Sequence, residues 1–329
     1  MKMNNGTITY NGILNIYKEK GFTSHDVVAK LRGILKQRKI GHTGTLDPDA
    51  TGVLPVCLGS GTKLCDMITD RSKVYQAVLR LGMDTDTQDI SGKILHKIED
   101  MSDMRLRISD DMIREAVNSF AGEYEQLPPM YSAIKIQGRK LYEIAREGKE
   151  VERKTRRVQI YSIQIQEIDF PRVKILVECS KGTYIRTLCK DIGDKLSVYG
   201  CMEELERQRS GPFSLESAIK LCSIEEAVKS GTIDRYIIPI EKMFEDYRSI
   251  SVRENFDKIL QNGNPLSIDM LEQETAKWNR TKWNRILQEN FEYEEGEWFR
   301  IYDSGKQFRA VYIGDRERKI LKPYKMFYL

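Results

Sequence analysis

The strongest constraint in this sequence is a junction. Residues 41–52 hold three glycines, three threonines, two aspartates and one histidine, and the apolar run Val53-Leu54-Pro55-Val56-Cys57-Leu58 follows at once. A short apolar run bounded by turn residues reads as a strand buried on both faces. The preceding loop therefore hangs on a rigid core element, and its composition costs too much backbone freedom for a mere connector. Two readings of Asp47 stay open at this level. Most Asp-Pro pairs are turn formers, whereas a carboxylate on a loop held by a buried strand is also a place for chemistry. His42 alone reads as a capping or packing residue.

The elements around this junction follow from periodicity. Gly12–Tyr17 reads as a strand, followed by a turn at Gly21 and a helix starting near Thr23-Ser24. Val27, Val28, Leu31, Ile34 and Leu35 share one face of that helix, with Lys30 and the next basic residues outward. Tyr75–Leu81 alternates as a strand with Tyr75, Ala77, Leu79 and Leu81 on one face. A helix is expected from Ser109 to Phe120, ending at Gly122, with strands at 158–168 and 173–179 and a helix starting near Thr183-Tyr184 that buries Ile185, Leu188, Ile192 and Leu196. Strands and helices mix irregularly, which favours α+β over a repeating βαβ unit. From about residue 250 the texture changes. A polar stretch rich in Gln, Asn and Trp precedes short strand-like runs at 297–302, 308–313 and 320–323, as in a small β-rich second domain. The expected boundaries are 1–245 and 246–329.

Composition narrows the function classes. Apolar content of 40% and charged content of 31% describe a folded chain. With 53 basic and 49 acidic residues the formal charge is +4, so a polyanionic partner would need a localised basic face. Candidate faces are Lys30–Lys39, Arg146–Arg157 and Arg316–Lys325, each of which also reads as ordinary solvated surface. The six cysteines form no C-x-x-C pair and show no metal-ligand spacing with the three histidines, so neither zinc nor disulfides are expected. Four of them sit in apolar runs as small hydrophobes, which implies a reducing compartment. No signal-peptide layout or membrane-length apolar stretch is present, and a cytoplasmic location is expected.

Two further segments carry chemistry. In Cys179-Ser180-Lys181-Gly182-Thr183-Tyr184-Ile185-Arg186-Thr187 a strand ends in a turn, and Arg186 emerges in the first turn of a helix. The helix dipole disfavours a cation there, so Arg186 calls for an anion, unless it simply reaches solvent. Pairing with Asp47 would keep that carboxylate ionised in a cleft. Gln126-Leu127-Pro128-Pro129-Met130-Tyr131-Ser132-Ala133-Ile134-Lys135 is a Pro-stiffened loop bearing an aromatic and a lysine.

Gly41-His42-Thr43-Gly44-Thr45-Leu46-Asp47-Pro48, followed by the Pro-Pro-x-Tyr-Ser-Ala-x-Lys and Lys-Gly-Thr-Tyr-Ile-Arg segments in that order, closely resembles the bacterial tRNA pseudouridine-55 synthases. The likeness runs from about Gly12 to Phe213 and includes Thr85-Asp86-Thr87 and Arg209-Ser210-Gly211-Pro212-Phe213. The C-terminal part resembles the family's small PUA-like RNA-binding domain weakly. The resemblance implies a pseudouridine-synthase catalytic domain with a central mixed sheet and cleft, and an RNA-binding insertion at about 125–157. It implies no metal and no cofactor. The implied partner is the tRNA T-arm, met by a monomer with no obligatory protein partner and no membrane. Carried over by motif, Asp47 is the catalytic carboxylate, Tyr75 stacks on the target ring and serves its proton chemistry, and Arg186 pairs with Asp47. His42 would fill the space left by the flipped base and Leu205 would wall the pocket. Tyr184, Lys18 and Lys63 fall at further matched positions with binding or structural roles.

The implied reaction breaks a glycosidic N–C bond, turns the uracil and rejoins it through carbon. One carboxylate serves as nucleophile or removes a sugar proton, and the sequence does not choose. Two departures stand out. Lys18-Glu19-Lys20-Gly21 lacks the family's proline, and Leu205-Glu206-Arg207 has Glu where many members have Arg. The long stretch 139–157 favours a protein that finds its own tRNA over a guide-dependent relative. The rival readings are a non-catalytic RNA-binding module, against which Asp47, Tyr75 and Arg186 together argue, and a nucleoside hydrolase, which would want a second carboxylate or a metal.

Overall fold

The computed structural model describes residues 2–4, 7–136, 138–272 and 291–327. The Gln/Asn/Trp-rich stretch at 273–290 lies outside the described residues. The protein is α+β, with a mixed central sheet and a second, smaller sheet built from the C-terminal residues, as the sequence led us to expect.

The central sheet is assembled from β1 (Gly12–Lys18), β2 (Ile40–His42), β3 (Thr51–Leu58), β4 (Lys73–Leu81), β5 (Gly122–Gln126), β6 (Arg156–Asp169), β7 (Arg172–Cys179) and β8 (Gly200–Ser210). Its order is β1-β3-β8-β4-β7-β6-β5, with β2 also paired to β3 and the short strand Phe213–Ser214 paired to β8. The pairing of β8 with β3 is parallel, at Glu206 with Thr51 and Arg207 with Gly52, and that of β8 with β4 is antiparallel. Thus β8, the latest of these long strands in sequence, lies between the two halves of the sheet.

The β3 strand is buried from Gly52 to Leu58 because both of its faces are covered. Leu54, Val56 and Leu58 pack with Leu14 and Ile16 of β1 beneath helices α1 (Ser24–Leu35) and α5 (Leu221–Lys229). Val53 and Cys57 face the other way, into a cluster with Ile13, Ile240 and Phe244 that also takes Phe308, Val311 and Phe327 from the C-terminal part. The α1 helix starts as its sequence dictates. Thr23 caps it and Asp26 returns the bond in a capping box, while Val27, Val28, Leu31 and Leu35 turn inward.

On the other half, Tyr75, Ala77, Leu79 and Leu81 of β4 join a core closed by α2 (Asp110–Asn118) and α4 (Ile185–Lys195). The connection from β5 to β6 holds a short hairpin and helix α3 (Leu141–Arg146), packed around Met130, Leu141 and Ile144.

In the second sheet, β9 (Arg248–Ser251), β10 (Leu266–Ser267), β11 (Trp298–Tyr302), β12 (Phe308–Asp315) and β13 (Ile320–Met326) lie in the order β9-β11-β12-β13-β10. Its core of Ile250, Leu260, Phe299, Ile301, Tyr312 and Leu321 is its own. No helix among the described residues is long and apolar enough to cross a membrane.

Candidate active site

The loop 41–52 is fixed from three directions before any charged group is considered. The Ser24 hydroxyl, at the start of α1, accepts from Leu46 N–H at 2.9 Å. Beyond Asp47, the Pro48 carbonyl accepts from Gly21 N–H at 2.9 Å and from the Lys18 ammonium at 3.1 Å. Near the loop's start, Thr43 donates its N–H to the Pro55 carbonyl of β3 at 3.1 Å. At its end, Gly52 holds φ +102°, and a Cβ there would lie 2.3 Å from the Arg207 carbonyl oxygen. Only glycine lets β3 and β8 approach this closely.

The turn at Asp47-Pro48 is closed by backbone, through Ala50 N–H to the Asp47 carbonyl at 3.1 Å. The Asp47 carboxylate is therefore not consumed as a turn former. It meets Arg186, whose Nε lies 3.0 Å from Oδ2 and whose Nη2 donates to Oδ1 at 3.4 Å. This fork is the geometry that a guanidinium offers and an ammonium does not. Arg186 is 6% exposed and Asp47 38%, so the cation is enclosed and the carboxylate is partly open. Arg186 also donates to the carbonyls of Thr87 at 3.0 Å and Tyr131 at 2.8 Å, which ties the 85–89 turn and the Pro-rich loop to the same point. Burial pushes the Asp47 carboxyl above the ordinary aspartate range, Arg186 pulls against that rise, and Asp89 adds to it.

Tyr75 is buried on β4, cross-strand from Val177 and Arg207, in one cluster with Leu46, Ala50 and the partly buried Leu205. Burial raises its hydroxyl pKa, and the nearby Arg207 charge opposes the rise. Tyr75 and Leu205 thus supply an aromatic and an aliphatic wall next to the loop of Asp47. His42 lies at the end of β2, edge-on to His25 with ring centres 5.1 Å apart. Its Nδ1 is buried without a hydrogen-bond partner among the described residues. Burial lowers its pKa, which favours the neutral ring.

The other candidates divide. Tyr184 sits at the start of α4, its N–H donating to the Gln126 side chain at 2.7 Å and its carbonyl accepting from it at 2.9 Å. Lys18 is fully buried and donates to the carbonyls of Glu19, Phe22 and Pro48, so it holds the loop from below. Burial lowers its pKa to about 8, against the pull of Asp47 and Asp49. Lys63 does not join this group. Its ammonium donates to the Met326 carbonyl at 2.7 Å, and Lys325 donates to the Lys63 carbonyl at 2.7 Å, at the junction with the second sheet. Glu206 accepts from Tyr17 at 3.1 Å and from Gln208 at 2.7 Å, so its charge is engaged locally.

Three residues escaped the sequence reading. Ser24 looked like a helix-start residue, Arg207 entered only as the neighbour of Leu205 and Glu206, and Asp89 carried no motif beyond its nearness to Thr85-Asp86-Thr87. Asp89 brings a second carboxylate to within 3.7 Å of Arg186 Nη1, a feature the hydrolase reading had seemed to lack. Its Oδ1, however, accepts from Thr87 Oγ1 at 2.8 Å and from the N–H and hydroxyl of Ser91, so it holds a turn. No group of three or more potential ligands that could hold a metal occurs among the described residues.

Residues 32–185 match the family described as TruB family pseudouridylate synthase (N terminal domain), and residues 186–245 match the tRNA pseudouridylate synthase B C-terminal domain. A tRNA pseudouridine synthase B of Lachnoclostridium phytofermentans is 45% identical over 326 residues, covering 96% of this chain and 99% of that protein. One from Clostridium tetani is 49% identical over 253 residues, covering 77% and 84%. Among solved structures, a chain of a Cbf5-Nop10-Gar1 complex superposes with a TM-score of 0.66 at 26% identity, over 97% of this chain and 85% of that one.

Proposed function

Because the chain belongs to the TruB family of pseudouridylate synthases and is a tRNA pseudouridine synthase, we propose that its target is the uridine at position 55 of the tRNA T-loop and that Asp47 is the catalytic carboxylate. The target base is flipped out of the T-arm and enters the cleft between Tyr75 and Leu205. Base flipping pays unstacking and regains it by stacking on an aromatic face. Tyr75 offers that face, and His42 takes the space the base leaves. The enzyme acts alone in the cytoplasm, without a guide RNA, metal or cofactor.

The observation that carries this reading is the fork between Arg186 and Asp47. An enclosed guanidinium pinned by two backbone carbonyls aims a half-open carboxylate into the cleft. The guanidinium favours the ionised form that a nucleophile or a base needs, against the burial that opposes it. It attacks the sugar carbon or takes a sugar proton, the N–C bond breaks, and the turned uracil is rejoined through carbon. Uracil is isomerised with nothing consumed.

The test is to incubate the pure protein with an unmodified tRNA transcript and map pseudouridine chemically. A single modified position in the T-loop is expected. Free uracil would replace the reading with a hydrolase, and product only in the presence of an added guide would replace it with a guide-dependent synthase.

A further inference from the structure

Arg207 is 1% exposed and is among the largest fully buried side chains of the protein. A buried guanidinium is costly unless a carboxylate compensates it. None lies within ion-pair distance of Arg207 among the described residues, and its Nη2 meets no hydrogen-bond acceptor there. An apolar side chain of similar volume would serve a purely structural position at lower cost. The cation also burdens its surroundings, since it disfavours the charged forms of Lys18, His42 and Lys73.

What Arg207 touches explains its retention. It stands on β8 at the seam, opposite Gly52 of β3 on one side and Tyr75 of β4 on the other. Its Nε donates to the Val53 carbonyl at 2.6 Å. Its Nη1 lies against the loop backbone, where a Cβ on Gly44 would be 3.8 Å away. The Tyr75 residue stands directly cross-strand from it, and the guanidinium charge opposes the rise that burial imposes on the Tyr75 hydroxyl pKa. One planar group thus spans the strand that carries the loop of Asp47, the loop itself and the ring of Tyr75.

We propose that Arg207 is a positioning residue for the isomerisation, fixing the Tyr75 ring and the Asp47 loop relative to each other across the β3–β8–β4 seam. The inference rests on the roles given above to Tyr75 and Asp47. Arg207 acts through these two and does not touch the base, because its side chain is enclosed, at 1% exposure.

The experiment measures single-turnover isomerisation at saturating enzyme, together with the Kd for tRNA, in the parent, Arg207→Met, Arg207→Lys, Tyr75→Phe and the double variant Arg207→Met/Tyr75→Phe. Loss of Arg207 is expected to slow the step by about 100-fold, the effect of a misplacement on the order of 1 Å, with Kd within about 3-fold. With the hydroxyl already absent, removing Arg207 should cost about 5-fold or less, because residues acting as a unit are not additive. Equal factors in the two backgrounds would overturn the proposal, as would a rate loss wholly matched by weaker tRNA binding. If Arg207→Met does not fold, Arg207→Lys decides. It keeps the charge but cannot reach Val53 and Tyr75 together, so it should be slow, and parental turnover would overturn the inference. Failure of the underlying reading looks different: Asp47→Asn would remain active.

Discussion

The Lys18 ammonium donates to the Pro48 carbonyl at 3.1 Å, one residue beyond Asp47, from a site with no solvent exposure. The matched position in the sequence had admitted either a structural or an RNA-contacting role, and this geometry anchors the loop from inside.

Replacing Lys18 by Met removes a charged donor and strands the carbonyls of Glu19, Phe22 and Pro48. A loss of about 3 kcal/mol is expected from hydrogen bonds to a charged group and the acceptors left behind. Urea unfolding measures it. The gap depends on pH in a definite direction. Burial holds Lys18 at about 8 when folded, against its ordinary 10.5. Between those values the unfolded chain binds the proton and the folded one releases it, so folding gains as pH rises. The parent's advantage over Lys18→Met should therefore widen from pH 8 to 10. A gap that narrows would contradict the burial described.

Asp47→Asn should abolish pseudouridine formation while leaving the Kd for tRNA within about 3-fold, because phosphate contacts dominate nucleic-acid affinity and this exchange removes no cation. Quantitative mapping beside filter binding separates the two quantities. Residual turnover would remove Asp47 from the chemistry.

Arg186→Lys should slow turnover by about 100-fold, since an ammonium cannot reproduce the fork to Asp47 together with the bonds to Thr87 and Tyr131. The acid limb of the rate carries a second signature. With Asp47 pushed above its ordinary 3.8, activity should fall on acidification earlier than a solvated aspartate would give. Arg186→Gln removes a cation that lowers this pKa and moves the limb to higher pH. Asp89→Asn removes a carboxylate that raises it and moves the limb to lower pH. Rates between pH 4.5 and 7 test both signs.

Gly52→Ala should be strongly destabilising, by more than about 2 kcal/mol, because φ +102° and a 2.3 Å approach to the Arg207 carbonyl leave no room for a methyl group. Thermal unfolding reads the loss. A stability change below about 0.5 kcal/mol would mean that the two strands are not this close.

Much of the fold was legible because burial and periodicity agree. The alternation of 75–81 and 173–177 gave β4 and β7 directly, and the apolar run at 53–58 proved to be buried on both faces. The joining of β8 to both β3 and β4 was not legible, since pairing between distant strands leaves no local pattern. Arg207 was hidden for a related reason. It lies among Glu203, Glu204, Glu206, Gln208 and Arg209, and register shifts between Met202 and Glu204 and between Arg207 and Arg209 break the alternation that would have marked it as inward. Asp47, Tyr75 and Arg186 were reached through motifs, whereas the contacts of Lys63 with the second sheet needed coordinates.

The place of β8 also bears on when the protein becomes competent during its own synthesis. Asp47 and Tyr75 leave the ribosome early and Arg186 later, yet no strand pairing joins β3 to β4 until residues 200–210 arrive to lie between them. Pairing over such sequence separations is slow because chain entropy is lost before contacts are gained. A nascent chain ending before residue 200 would hold two partial sheets, with Asp47 and Tyr75 on separate ones. The strand pairing that unites the two halves of the site thus waits for residues 200–210.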